Sequence, residues 1–306
     1  MSKFKKIIVA FVLGMLCLGQ VGLVGHAEEK KTVTATTSFL YDMVNVLAGD
    51  AVNNELIIPA GEDPHVYTPK PQDLVKLKEA DLVLYHGLHF EGRMIDVLEE
   101  IGYAVSETFT EDQVGRMEQD GEIVIDPHFW FDIDLYKEAV NNAAAKLSEL
   151  VPEAKDSIEA NKEAYLAELD ELDQYAQEQF QAIPEENRFL VTPHDAFNYL
   201  SRRYAIPVIA PQGVSTDTEV ANADIDETVN AIVENKIKAI FAESTTDPAR
   251  MEKLKEACKA KGFDVEVVHG EGQELFSDSL APEGQPGDTY LTMYRHNIDL
   301  ITSHLK

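Results

Sequence analysis

Residues 152–184 read PEAKDSIEANKEAYLAELDELDQYAQEQFQAIP, a run without glycine and without proline between its two ends. Apolar residues recur at Tyr165, Leu169, Leu172, Ala176 and Phe180, at spacings of four, three, four and four. That is the period of one helix face. Pro152 suits a first helical turn, with Glu153 and Asp156 beside it where acids favour the helix dipole. From Pro152 to Ala182 such a helix reaches about 46 Å at 1.5 Å per residue. A helix of that length with one modest apolar stripe reads as a strut between two bodies rather than a core element. No Gly/Ser-rich segment accompanies it, so any hinge is stiff.

On either side, short apolar runs alternate with amphipathic ones. Before the helix, KTVTATT (31–37), ELIIPAG (55–61) and DLVLYHG (81–87) predict strands. SFLYDMVNVLAG (38–49), KPQDLVKLKEA (70–80) and RMIDVLEEIG (93–102) predict helices. After it, RFLVTP, IPVIAP, KAIFAES and DVEVVHG predict strands, with helices over 195–204, 224–236, 247–262 and 289–305. This is α/β patterning, two lobes each with a small, mainly parallel sheet flanked by helices. The expected organisation is a leader over 1–27, a first lobe over 28–151, the linking helix over 152–183 and a second lobe over 184–306. The polar segment 108–123 reads as a surface loop or hairpin and contains no histidine.

The first 27 residues have a basic start (MSKFKK), an apolar run and small residues at Gly25 and Ala27. That is the layout of a secretory signal cleaved after Ala27, so the mature chain is expected outside the cytoplasm, at the cell surface or in a periplasm. Cys17 lies in the apolar run, but Leu16 precedes it where a lipoprotein cleavage site wants a small residue, which argues against lipidation there. The other cysteine, Cys258, is then alone, so neither an intramolecular disulfide nor a cysteine-based zinc site is available. Its helical setting predicts a packed thiol. The leader carries three lysines and no acid, so the mature net charge falls from −29 to about −32. Such a surface repels nucleic acid and anionic lipid and favours the approach of cations.

Three of the nine histidines directly follow a proline. Asp-Pro-His occurs at 63–65 and again at 126–128, and Thr-Pro-His at 192–194. Proline fixes its own φ and biases the preceding residue toward extended backbone. Each pair ends an apolar, strand-like segment, and the carboxyl ends of parallel strands are where α/β proteins gather ligands. Imidazole is the commonest metal-binding side chain near neutral pH. His65, His128 and His194 are therefore candidate metal ligands. A carboxylate would complete the set, with Asp278 in the loop before the last helix as the better candidate. Glu243, at the end of KAIFA, is the other. Asp63, Asp126 and Asp195 are placed to orient imidazoles.

EDPHVYTPKPQDLVKLKEADLVLYHGLHFEG, DPHFWFD, HDAFNYLSRRY, PQGVSTDTEV and SDSLAPEGQPGDTYLTMYRHNI together resemble the TroA-like solute-binding proteins, the metal receptors of manganese/zinc ABC importers. The resemblance runs from about residue 32 to the C-terminus in five ordered motifs. It implies two α/β lobes on one long helix, with metal in the cleft. It also implies His65 and His128 as ligands from the first lobe and His194 and Asp278 from the second. Glu243 and Asp195 remain as neighbouring carboxylates, alternative ligands or orienting groups. His86 and His89 fall near the cleft but are not ligands in the family. His269, His296 and His304 read as structural or exposed.

The acidic, histidine-free loop at 108–123 and QGVSTDTEV are similar to the manganese branch. Three imidazoles and a carboxylate suit zinc equally well by softness, and zinc has the higher intrinsic affinity. Manganese is favoured, zinc second. The expected partners are a membrane permease and a separate ATPase, since the chain has no GxxxxGK[ST] element; the receptor itself is expected to be a non-enzymatic monomer. Two rival readings are a secreted zinc hydrolase, with Glu243 as base, and a surface adhesin. HExxH is absent, which weighs against the first.

Overall fold

β1 (Thr32–Ala35) has the β-branched alternation of a strand and is buried from its second residue onward, as an inner strand must be. It pairs in parallel with β2 (Asn53–Leu56) and β3 (Leu82–Tyr85), and β3 pairs in parallel with β4 (Tyr103–Ala104), giving the order β2-β1-β3-β4. The computed structural model describes residues 30–119 and 121–306. The leader expected over 1–27, Cys17 included, lies outside them. Among the described residues no helix is long and apolar enough to cross a membrane.

The first sheet is covered by α1 (Ser38–Ala48), α2 (Pro71–Glu79) and α3 (Ile95–Ile101). α1 starts at Thr37, whose hydroxyl accepts from the Leu40 N–H, and ends at Gly49 with φ 48°, a conformation that favours glycine. The polar segment is the antiparallel hairpin β5 (Arg116–Gln119) and β6 (Glu122–Ile125). α4 (Ile133–Leu150) follows, a helix missed by the sequence reading, because much of its buried face is small: Ala139, Ala143 and Ala144 alternate with Tyr136, Val140 and Leu147.

The long helix α5 runs Lys155–Gln181, its expected first turn tightened into a 3₁₀ turn at Pro152–Ala154. Its buried residues are Ile158 and the five of the predicted stripe. Besides spanning the lobes it belongs to the main core. Tyr165, Leu169 and Phe180 share one apolar cluster with Phe39 of α1, Tyr136 of α4 and Tyr290 of α9 (Tyr290–Leu305). Each such fully buried large side chain contributes about 1.5–3 kcal/mol, so the helix is held along its length.

In the second lobe the strands form two separate parallel pairs. β7 (Leu190–Val191) pairs with β8 (Val208–Ile209), and β9 (Ala239–Phe241) with β10 (Glu266–Val268). α6 (Asn198–Tyr204), α7 (Asn222–Glu234) and α8 (Ala249–Ala260) cover them. Cys258 of α8 is fully buried in a small core with Val191, Val229 and Ile240, the packed thiol expected. Isolated parallel bridges continue both pairs, His194 to Gln212 and Glu243 to Leu275. They place His194 and Glu243 just past the carboxyl ends of β7 and β9.

The lobes meet along a bed of unequal strength. On one side the Tyr290 and Tyr294 hydroxyls donate to the carbonyls of Trp130 (2.6 Å) and Phe131 (2.9 Å). Arg203 of α6 bonds Asp132 and Asp134 at the start of α4, both at 2.8 Å, and Asp173 of α5 at 2.7 Å. On the other side the links are lighter. Thr216 donates to Asp63 (2.6 Å), Gly61 N–H to Ser279 Oγ (2.7 Å), and Arg93 faces Asp217 at 3.4 Å between exposed side chains.

Candidate metal centre

The strand ends deliver four side chains to one point. His65 comes from the loop after β2, His128 from the turn after β6, His194 from beyond β7, and Asp278 from the loop before α9. One ligand-type atom of each lies within 4.8 Å of all the others. His65 is 4% exposed and the other three are 0% exposed. The edges of the cluster are short. His65 Nε2 is 3.4 Å from His128 Nε2, His128 Nε2 is 3.3 Å from Asp278 Oδ1, and His194 Nε2 is 3.2 Å from Asp278 Oδ2. Donors about 2.0–2.1 Å from a tetrahedral zinc lie roughly 3.3–3.4 Å from one another, which these three edges match.

The cluster is not a satisfied polar core. His194 Nε2 and both carboxylate oxygens of Asp278 are buried without a hydrogen-bond partner. Buried polar atoms are paired in the great majority of cases, and an unpaired one costs roughly 1–3 kcal/mol. Several at one point call for an ion.

Two imidazoles are aimed by carboxylates on their far nitrogens. Asp126 Oδ1 lies 2.7 Å from His128 Nδ1, and Glu243 Oε2 lies 2.5 Å from His194 Nδ1. A proton held on Nδ1 leaves Nε2 as the donor atom facing the centre. Glu243 is thus outside the four-residue cluster, behind His194. Asp63 accepts from the His65 backbone N–H at 2.9 Å rather than from its ring. Asp195 is only partly buried and pairs with Asn198, not with an imidazole.

The electrostatics divide the histidines. Burial, with repulsion from His128 and His194, lowers the His65 pKa to about 3 despite Asp278. Burial also opposes charge on His128, but Asp126 and Asp278 outweigh it and raise its pKa to about 9. His194 is likewise raised well above its ordinary value, with Glu243 and Asp278 overcoming burial. Asp278 is held well below the usual carboxylate range by His194 and His128, again against burial. The carboxylates beside His128 and His194 thus favour the charged imidazoles, and the imidazoles favour an ionised Asp278, while burial opposes charge on all three.

Three supporting residues escaped the sequence reading. Trp130, two residues after His128, donates its indole N–H to the Ser277 carbonyl at 2.9 Å and so fixes the approach to Asp278. Its proximity to His128 in the chain was a usable signal. Gly92 lies against the His65 backbone, where a Cβ would come 2.2 Å from the His65 carbonyl oxygen. Phe90 presents an edge-on contact to the His65 ring at 5.1 Å. His86 is fully buried on Thr37, 2.8 Å from its hydroxyl, and its pKa is lowered to about 3 by burial; His89 is exposed. His269 lies 3.4 Å from Glu252, and His296 and His304 bond backbone carbonyls.

Relatives of the chain carry this architecture. It is 37% identical over 286 residues to the manganese-binding lipoprotein MntA of Bacillus subtilis, covering 92% of this chain and 91% of that one. It is 37% identical over 284 residues to the zinc-binding protein TroA of Treponema pallidum (91% and 90% covered), whose structure superposes with a TM-score of 0.85 over 90% of this chain and 99% of that one. A structure from a study of the metal-binding specificity of TroA is 57% identical, with a TM-score of 0.90 over 91% of this chain and all of that one. Residues 33–304 match the family described as zinc-uptake complex component A, periplasmic (ZnuA), and the chain belongs to that family.

Proposed function

We propose that the protein is an extracytoplasmic solute-binding protein that captures one divalent transition-metal ion, manganese in preference to zinc, and delivers it to an ABC permease driven by a separate ATPase. The observation that carries this reading is the convergence of four buried side chains, three of whose polar atoms lack a hydrogen-bond partner. His65, His128, His194 and Asp278 are the ligands, with Asp126 and Glu243 orienting two of them. The lobes boundary lies at the linking helix, each lobe supplying two ligands, so the cargo itself joins them.

Both Asp278 oxygens are turned toward imidazoles, one to His128 and one to His194. Five donors are then within reach, more than a tetrahedral zinc requires. This supports manganese, a carboxylate-tolerant ion. Glu243, the base the hydrolase reading requires, is engaged on the far side of His194, which weighs against that reading. Membership of an uptake-complex family supports the permease partnership and an extracytoplasmic location. The receptor acts as a monomer.

Calorimetric titration of chelator-stripped mature protein with Mn²⁺ and with Zn²⁺ tests the reading. The expected result is tight one-to-one binding of each that disappears in His65→Ala. Lack of saturable binding of either ion would sink it.

A further inference from the structure

We propose that Thr216 and Asn198 are positioning residues for the cargo ion. Each reaches from the second lobe to the aspartate of an Asp-Pro-His loop in the first: Asn198 holds the His128 loop on the side that stays clamped, and Thr216 couples closure of the lobes to the placement of His65. The inference rests on the cargo-site reading above.

The two loops are wired alike. In the first, Asp63 Oδ1 accepts from the His65 N–H (2.9 Å) while Oδ2 accepts from the Thr216 hydroxyl (2.6 Å). In the second, Asp126 Oδ1 accepts from the His128 N–H (3.0 Å) while Oδ2 accepts from the Asn198 side-chain N–H (3.1 Å). Each carboxylate uses one oxygen on its own histidine and the other on the opposite lobe. Proline between them stiffens the tripeptide, so a pull on the aspartate is transmitted to the histidine.

All four ligands are buried, so an ion leaves only when the lobes part. The Trp130–Phe131 side is clamped by Tyr290, Tyr294 and Arg203, which leaves the Asp63 edge as the side that yields. Parting there breaks the Thr216–Asp63 bond and frees the loop that carries His65. His65 has no carboxylate hydrogen-bonded to its ring among the described residues, unlike His128 and His194, so this loop is its main restraint. Thr216 itself is held from below. Gln212 donates to the Thr216 and Thr218 carbonyls, and Arg250 donates to Gln212 at 2.6 Å.

Release of Zn²⁺ from the mature protein into excess chelator, followed by stopped flow, tests the proposal. A hydrogen bond to a charged group is lost in Thr216→Val, and release is expected to accelerate about tenfold. Asn198→Ala, on the side that stays clamped, is expected to change release less than Thr216→Val, and equal acceleration by the two would overturn the assignment of the yielding edge. Thr216→Ser keeps the hydroxyl and restores release to within about twofold of the parent. X-ray absorption of the zinc-loaded variants shows the same ligand set as the parent. Release from Thr216→Val at the parent rate, or Thr216→Ser releasing as fast as Thr216→Val, overturns the proposal while leaving one-to-one binding intact. Failure of the parent to bind Zn²⁺ at all overturns the cargo-site reading and this inference with it.

Discussion

The loops at 63–65 and 126–128 carry the same tripeptide and the same Asp-to-backbone hydrogen bond, but they sit in different surroundings. Around the second, Asp126, His128, Phe129, Trp130 and Phe131 are all buried, and the Asp126 carboxylate also holds the His128 ring. Around the first, Gly61 and Glu62 are exposed, Asp63 is half-buried, and the His65 ring rests on Phe90 with no carboxylate hydrogen-bonded to it among the described residues. The pKa values follow, about 9 for His128 and about 3 for His65. One motif has thus been used for a histidine fixed in the core and for a histidine placed at an edge, both proposed as ligands. A carrier needs both, since an ion held only by rigid donors would not be given up.

The largest expected difference between the loops comes from their aspartates. Asp126→Ala removes the group that sets the His128 tautomer and is expected to cost about 100-fold in affinity at pH 7, at the upper end for an orienting partner. Asp63→Ala is expected to cost about tenfold, through faster release, because the ring of His65 loses nothing directly. Equal losses by titration calorimetry would break the distinction.

Acid sharpens it. A cation needs neutral imidazoles, so the proton that His128 retains up to about pH 9 must leave on binding. His65 is already neutral above about pH 3 and adds no dependence in that window. Affinity is therefore expected to rise from pH 6 to 9 and to fall as pH is lowered, roughly tenfold per unit for each proton displaced. Titration in buffers of different protonation enthalpy counts those protons; release of none at pH 7 would contradict the assignment.

The smallest effect is at Gly92. Gly92→Ala forces the His65 carbonyl to move and is expected to weaken binding about fivefold, roughly 1 kcal/mol. An unchanged affinity would mean that the first loop gives way freely.

The parts of this molecule legible in its sequence are those encoded locally. The stripe Tyr165 to Phe180 is one helix face read residue by residue, and all five members are buried. The three Pro-His pairs mark strand ends because proline acts on its own neighbours. Asp278 was harder: residue patterns ranked it first but kept Glu243 as the other candidate, and family likeness strengthened that ranking. The Thr216–Asp63 bond joins residues 153 positions apart, which no local pattern encodes. Nor does one encode the division of the second lobe into two strand pairs, since runs of two or three hydrogen-bonded residues are too short to carry a period. α4 was hidden by alanines, which are apolar enough to be buried but too small to draw a stripe.

Trp130 is the only tryptophan in the chain. Its ring centre lies 5.2 Å from that of His128, and its indole is tied to the residue before Asp278. The emission of the protein excited at the red edge of its absorbance therefore originates from a single chromophore beside the cargo. Loading and unloading of the proposed site are expected to register in that emission, in the unlabelled molecule.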